Sequence, residues 1–189
     1  MTRFLISSQA TPADLNGRRV LVVGLGESGL AMATWLHRQQ AQIVFVDTRA
    51  EPPGVQALLS AVPGAEWRCQ GEALSGATIA RCLDHVDLLA LSPGVAFDHP
   101  LIVAAKARGV PVWSEIDCFT VARAASCPQS KVIAITGANG KTTTTALTAH
   151  ILNAVGIDAV ACGNISPSAL DAFMACEARS QWPDVWVVE

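Results

Sequence analysis

Charge is scarce in this chain: Asp, Glu, Lys and Arg make up 15% of its 189 residues, while hydrophobic residues make up 51%. An average soluble domain is about 25% charged, so the deficit points to buried strands and to surface that further chain is expected to cover. Long apolar runs are missing too. None approaches the roughly 18 residues a membrane-spanning helix needs, so no membrane span is expected. Near the N-terminus only Phe4, Leu5 and Ile6 are apolar in succession, too few for a signal peptide. A net charge of −3 gives no global attraction to nucleic acid. The six cysteines (Cys69, Cys82, Cys118, Cys127, Cys162, Cys176) contain no C-x-x-C pair and no zinc spacing. They read as reduced core residues of a cytoplasmic protein. The four histidines (His37, His85, His99, His150) are scattered without a partner motif and read as surface or packing residues.

What is present is alternation of strands and helices, and it predicts an α/β fold with a parallel, doubly wound sheet. Residues 20–23 are continuously apolar and β-branched, as a strand covered on both faces should be. A G-x-G-x-x-G turn follows, made of Gly24, Leu25, Gly26, Glu27, Ser28 and Gly29. Residues 30–40 read as its helix, with Leu30, Ala33 and Leu36 or His37 on one stripe. A second apolar strand at 43–46 ends in Asp47, about 20 residues beyond the first glycine, where an acid is expected at a strand tip. Such a unit can take a diphosphate on the helix N-terminus and a ribose or base at the strand tip. The motif specifies a diphosphate but not the groups attached to it, so NAD, another nucleotide, and glycines kept only for packing all stay open. Further on, 55–61 predicts a short helix, 66–69 a short strand and 87–91 a buried strand ending at Ser92, Pro93 and Gly94. Spacing alone makes that tripeptide an ordinary turn. Residues 99–108 predict a helix stopped by Gly109, and 110–113 a strand that Pro111 assigns to a sheet edge.

A second phosphate-type site lies in residues 131–152. An apolar strand at 132–135 runs into Gly137, Ala138, Asn139 and Gly140, followed at once by Lys141, Thr142 and a long apolar-periodic segment. Glycines let backbone N–H groups close on phosphates, the lysine brings positive charge, and the threonine hydroxyl is placed for Mg²⁺. The loop is a variant, of the form T-G-x-N-G-K-T, since Ile135 stands where the general pattern has its first glycine. Leu147, Ile151, Leu152 and Val155 are expected to form the apolar face of the following helix. Thr143, Thr144 and Thr145 have poor helix propensity, and they either touch nucleotide or face the sheet. Residues 157–162 predict a strand ending at Gly163 and Asn164, and 167–176 a helix with Pro167 in its first turn. The last strand, 185–188, ends in Glu189, resembling the strand-tip carboxylate that helps hold Mg²⁺ beside a phosphate loop. A natural chain rarely stops on a buried strand, so these residues are expected to be the N-terminal part of a longer enzyme.

Taken together, VLVVGLGESGLA, VDTR, LLALSPGVAFDHPLI, SEIDCF, VIAITGANGKTTTTAL, CGNI and VVE, in that order, resemble the Mur ligases of peptidoglycan synthesis, nearest to the members that add D-glutamate. The resemblance spans the chain from about Leu15. It departs at Ala138, where threonine is usual but the backbone N–H is the same, and at Ser166, where glycine is common.

The resemblance implies a Rossmann-like UDP-sugar domain (1–114), then the start of a P-loop domain that binds ATP (115–189), within a three-domain, monomeric, cytoplasmic enzyme. It moves Gly24 to Gly29 from NAD to the diphosphate of UDP-N-acetylmuramoyl-L-alanine, with Asp47, Thr48 and Arg49 at the uracil. Ser92, Pro93, Gly94 and Asn164 are expected beside the same substrate. Gly137, Ala138, Asn139, Gly140, Lys141, Thr142 and Thr143 are expected on ATP, Thr142 and Glu189 on Mg²⁺, and Lys141 and Glu189 in catalysis. The implied reaction is amide formation with D-glutamate through an acyl phosphate, giving ADP and phosphate. Residues that choose the amino acid, a carbamylated lysine and a metal-binding histidine are implied beyond Glu189, so 1–189 alone is expected to be inactive. The rivals are a Mur ligase that adds L-alanine or a diamino acid, a dinucleotide-dependent oxidoreductase, and a nucleotide-sensing module.

Overall fold

A computed structural model describes residues 12–47, 49–68, 75–96 and 98–189. Thr48, Cys69 and the Phe4–Ile6 stretch lie outside the described residues. Residue contacts divide the chain into two compact units, Met1–Cys118 and Phe119–Glu189.

The first unit is built on a parallel sheet. Its strands are β1 (Arg19–Val23), β2 (Gln42–Val46), β3 (Glu66–Trp67), β4 (Leu88–Leu91) and β5 (Val112–Ser114), in the order β3-β2-β1-β4-β5. The chain runs outward from β1 through β2 to β3, then returns to the other side of β1 for β4 and β5. The order therefore reverses between β1 and β4, and open α/β sheets place ligands at the carboxyl ends of strands flanking such a switch point. β1, β2 and β4 carry nearly unbroken apolar runs because each is covered on both faces. β5 is an edge strand, as Pro111 requires: its carbonyl accepts from the Leu89 amide, and proline has no N–H to offer a further neighbour.

Helix α1 (Glu27–Arg38) starts inside the glycine motif, three residues before the expected helix. The motif supplies the first helical turn itself, so the buried face is Gly29, Ala31, Met32, Ala33, Trp35 and Leu36, while Leu30 is only half-buried. Short helices α2 (Val55–Ala61), α3 (Gly76–Cys82) and α4 (Pro100–Ala107) link the remaining strands. Cys82 is disulfide-bonded, which corrects the expectation of six reduced thiols; Cys118, Cys127, Cys162 and Cys176 are buried and outside any disulfide.

Helix α5 (Glu115–Ser126) begins with a reciprocal cap. The Ser114 amide and hydroxyl both donate to Asp117 Oδ2, at 2.6 and 2.8 Å, and the Asp117 amide donates back to the Ser114 hydroxyl.

The second unit holds β6 (Lys131–Ala134), α6 (Lys141–Ala154), β7 (Ala159–Cys162), α7 (Ala169–Arg179) and β8 (Val185–Val188). Its parallel strands run β6-β8-β7, with β8 central and wholly buried. Phe119, Phe173 and Trp186 pack edge-on and tilted, with ring centroids 5.3 to 6.5 Å apart.

Two expectations fail here. Pro167 is not in the first turn of α7. Ser168 caps that helix by accepting the Asp171 amide and donating to its carboxylate at 2.9 Å, which sets the helix start two residues later. The expected apolar face of α6 divides as well. Leu152 packs on the core with Ala149, but Leu147, Ile151 and Val155 are more than half exposed. Small side chains at Thr145 and Ala149 let α6 seat closely on β7 and β8, and that contact uses one side of a stripe that extends to both. Among the described residues no helix is long and apolar enough to cross a membrane.

Candidate functional site

The glycine loop of the first unit is held from three sides. Beyond β1, the Gly24 amide donates to the Val46 carbonyl at 2.9 Å, extending the β1–β2 ladder by one residue. Its carbonyl accepts the Ser92 hydroxyl at 2.7 Å, a bond that bridges the tips of β1 and β4 across the switch point. Gly29 closes the motif against that same carbonyl. A Cβ there would lie 2.0 Å from Gly24 O and 2.7 Å from Ser92 Oγ, so no side chain fits. Gly26, by contrast, faces open space and caps α1 with no side-chain bond. The first-turn N–H groups of α1 thus receive no side-chain cap from Gly26, and such uncapped helix N-termini can take an anion.

Asp47 ties the third side. Its Oδ2 accepts the Leu25 amide at 2.9 Å and Arg49 Nη2 at 2.7 Å; its Oδ1 accepts the Arg49 amide at 2.9 Å and Arg49 Nε at 2.8 Å. Burial by itself pushes this carboxyl up. The Arg49 guanidinium, the two amides and the Arg49 charge outweigh it and hold the group at about 2.

The structure thus brings Gly24, Leu25, Gly26, Glu27, Ser28, Gly29, Asp47, Arg49 and Ser92 to one sheet end, with Pro93 and Gly94 exposed on the turn after β4. Leu25 contributes backbone there, since its side chain is wholly buried. Thr48 lies outside the described residues.

The second unit carries the other loop between β6 and α6. Gly137, Ala138, Asn139 and Gly140 are exposed, and Gly140 caps α6 without a side-chain bond. The four threonines that follow do different things. Thr142 Oγ1 donates to Glu189 Oε2 at 2.6 Å, while Thr144 and Thr145 turn back onto the Gly140 and Lys141 carbonyls at 2.8 and 2.9 Å. Thr143 is exposed and, alone of the four, has no side-chain hydrogen bond among the described residues.

Glu189 is next to Thr142 because β6 and β8 are neighbours in register, Ala134 opposite Val188. The Gly163 turn locks it in place. The Glu189 amide donates to the Cys162 carbonyl at 2.9 Å, and the Asn164 amide donates to the Glu189 carbonyl at 3.2 Å. A Cβ on Gly163 would lie 2.6 Å from that carbonyl oxygen. Sequence reasoning singles out Asn164 and misses Gly163; the available signal is a glycine at the very end of a β-strand. Asn164 belongs to the same unit as the Lys141 loop, not to the unit that carries Gly24 to Gly29.

Hydroxyl and carboxylate side by side are hard oxygen donors suited to Mg²⁺. Among the described residues no cluster of three or more His, Cys, Asp or Glu could hold a metal. A cation beside Thr142 and Glu189 would therefore share its coordination with phosphate oxygens and water, as Mg²⁺ does at nucleotide sites.

The family described as Mur ligase MurD-like, N-terminal domain, matches residues 18–114, just over half of the chain. The chain belongs to the MurD-like Mur ligases. The UDP-N-acetylmuramoylalanine–D-glutamate ligase of Dechloromonas aromatica is 52% identical over 176 residues, covering 93% of this chain and 37% of that protein. The enzyme of the same name from Nitrosospira multiformis is 42% identical over 177 residues, covering 93% and 36%. Among solved structures, a murein peptide ligase from Psychrobacter arcticus aligns at 21% identity over 92% of this chain and 37% of that one, with a TM-score of 0.48. This Mur ligase chain spans a little over a third of the length of the curated relatives it matches. The family expectation and the α/β fold with a Rossmann-like first domain are therefore borne out.

Proposed function

We propose that, in a protein of its relatives' length, this chain serves an ATP-dependent ligase that joins D-glutamate to UDP-N-acetylmuramoyl-L-alanine. The observation that carries the reading is the 52% identity, over 93% of the chain, to a D-glutamate ligase. Residues 1–114 form the UDP-sugar domain and 115–189 open the ATP domain of a cytoplasmic, monomeric enzyme. The first-turn amides at Gly26 to Gly29 take the diphosphate, with Asp47, Thr48, Arg49 and the turn Ser92, Pro93, Gly94 around the rest of the nucleotide. Gly137 to Gly140 cradle the ATP phosphates, Lys141 neutralises the β- and γ-phosphates, and Thr143 offers its unengaged hydroxyl to the nucleotide.

The chemistry needs this division. The substrate carboxylate attacks the γ-phosphorus and ADP leaves; the D-glutamate amine then attacks the acyl carbon, loses a proton and expels phosphate. The first step brings two anions together, so positive charge at Lys141 lowers its barrier. Thr142 and Glu189 would hold Mg²⁺, which supplies further neutralisation of the phosphates when bound. Asn164, whose amide donates to the Glu189 carbonyl, would contact the substrate or the nucleotide.

The test is product formation by the full-length protein with ATP and Mg²⁺, offering UDP-N-acetylmuramoyl-L-alanine with D-glutamate or a diamino acid, and UDP-N-acetylmuramate with L-alanine. Phosphate release with D-glutamate alone, and a product heavier by one glutamyl residue, is the expected result. Phosphate release from UDP-N-acetylmuramate with L-alanine would reassign the protein to another branch of the family.

A further inference from the structure

Asp47 stands where a dinucleotide-binding unit keeps the acid that reads the adenosine ribose. To read a vicinal diol, a carboxylate must present unoccupied lone pairs toward the ligand. A carboxylate has about four acceptor sites, and here four N–H donors fill them. Oδ1 takes the Arg49 amide and Nε, and Oδ2 takes the Leu25 amide and Arg49 Nη2. The carboxylate is buried, whereas the Arg49 side chain is half exposed, so the guanidinium forms the solvent side of the pair. Its bidentate fork is the strongest arrangement available to these groups.

We propose that Arg49 is a specificity-determining residue: by occupying both oxygens of Asp47 it stops the Gly24–Gly29 loop from accepting a nicotinamide adenine dinucleotide. The inference rests on the reading that this loop takes the diphosphate of a UDP-sugar.

The discrimination works by pre-satisfying an acceptor. A ribose diol arriving at the β2 tip must displace charge-assisted bonds from Arg49 and replace them with neutral donors, which is a net loss. A ribose 2′-phosphate fares no better. Nε and Nη2 are engaged with Asp47 and the Leu25 carbonyl, so only Nη1 faces an incoming 2′-phosphate, and the adjacent Asp47 anion offsets its attraction. The diphosphate is untouched by all this, because the amides offered to it belong to the first turn of α1 and not to the β2 tip. The loop therefore keeps the half of the motif that binds diphosphate and disables the half that reads the ribose. With its carboxyl held at about 2, Asp47 stays ionised and paired throughout the physiological range.

The experiment titrates the full-length protein with NADH and NADPH by fluorescence and with UDP-N-acetylmuramoyl-L-alanine by calorimetry. We expect the wild type to bind the UDP-sugar and neither dinucleotide, and Arg49→Ala to bind NADH at least about tenfold more tightly than the wild type does. The gain must vanish in the Arg49→Ala, Asp47→Asn double variant, which lacks the released carboxylate. Arg49→Met keeps the aliphatic stem and carries the same expectation should Arg49→Ala fail to fold. NADH affinity unchanged in a folded Arg49 variant, or a gain that survives in the double variant, overturns the proposal. A wild type that binds no UDP-sugar refutes the diphosphate reading instead, and the NADH comparison distinguishes the two failures.

Discussion

Thr142 Oγ1 donates to Glu189 Oε2 at 2.6 Å, joining the first turn of α6 to the tip of β8 across 47 residues of sequence. Two hard oxygens are thereby fixed beside the phosphate loop by the pairing of β6 with β8, not by local chain geometry. If they share a Mg²⁺ site, Thr142→Val and Glu189→Gln should each lower turnover of the full-length protein at least about a hundredfold, close to the effect of one charge-stabilising contact. Thr142→Ser should retain most of it. Phosphate release as a function of Mg²⁺ concentration checks this, with UDP-sugar affinity as the property that should not move.

Gly29 and Gly26 belong to one motif and should respond oppositely to the same change. Gly29→Ala places a methyl 2.0 Å from the Gly24 carbonyl oxygen, a rigid backbone group next to the Ser92 bond. Destabilisation of the first unit by about 3 kcal/mol or more is expected. Gly26→Ala meets nothing within 4 Å and its φ of −95° suits any residue. Its cost should stay within about 1 kcal/mol, the loss expected when alanine replaces glycine at a helix N-cap. Urea unfolding of the two variants decides the matter, and equal losses would contradict the steric account.

The central strands of the first unit are legible because β1, β2 and β4 are apolar on both faces, and the glycine motif marks where β1 ends. What escapes the sequence lies in tertiary contacts. Nothing near Ser92 announces that its hydroxyl will be taken by Gly24, 68 residues away. Gly163 looks like any turn glycine until β8 arrives against it. The periodicity of α6 announces an apolar stripe of Leu147, Ile151, Leu152 and Val155 but not which of them β7 and β8 bury, and of the four Leu152 packs on the core. Local competition also misleads: Ser168 outranks Pro167 at the start of α7 because its side chain satisfies a helix N–H that proline leaves unpaired.

Gly163 supplies a prediction of its own. Any Cβ there meets the backbone of Glu189 at 2.6 and 2.9 Å, so Gly163→Ala must push the tip of β8 away from β7. The carboxylate that accepts Thr142 moves with it. Turnover of the full-length protein should fall at least about tenfold, with a raised Mg²⁺ requirement, since misplacement by about 1 Å is enough to cost that much. The diagnostic comparison is with UDP-sugar affinity, which a local shift at β8 should spare; a parallel loss of both would mean that the substitution unfolds the chain.

Asp47 makes the stability of the first unit depend on acid in a defined window. Its carboxyl titrates at about 2 in the folded chain against an ordinary 3.8, so the unfolded chain takes up the proton first as pH falls. The stabilisation is fully present above the unfolded value and is lost as pH drops through roughly 4 toward 2. Each tenfold difference in proton affinity between the folded and unfolded chain is worth about 1.4 kcal/mol, which sets a ceiling of about 2.5 kcal/mol. Solvent screening of the half-exposed Arg49 reduces it to between about 1 and 2 kcal/mol. Urea unfolding of the 189-residue chain and its Asp47→Asn variant at about pH 7, 4, 3 and 2.5 isolates this group, because every other carboxyl is common to both. The wild type should be the more stable near neutral pH, and the gap should close as the pH approaches about 2. Arg49→Met should shrink the neutral-pH gap from the other side of the pair, leaving Asp47 with only its amide donors from Leu25 and residue 49. A gap that stays constant across this acid range would mean that Asp47 contributes through shape and hydrogen-bond count, not through its charge.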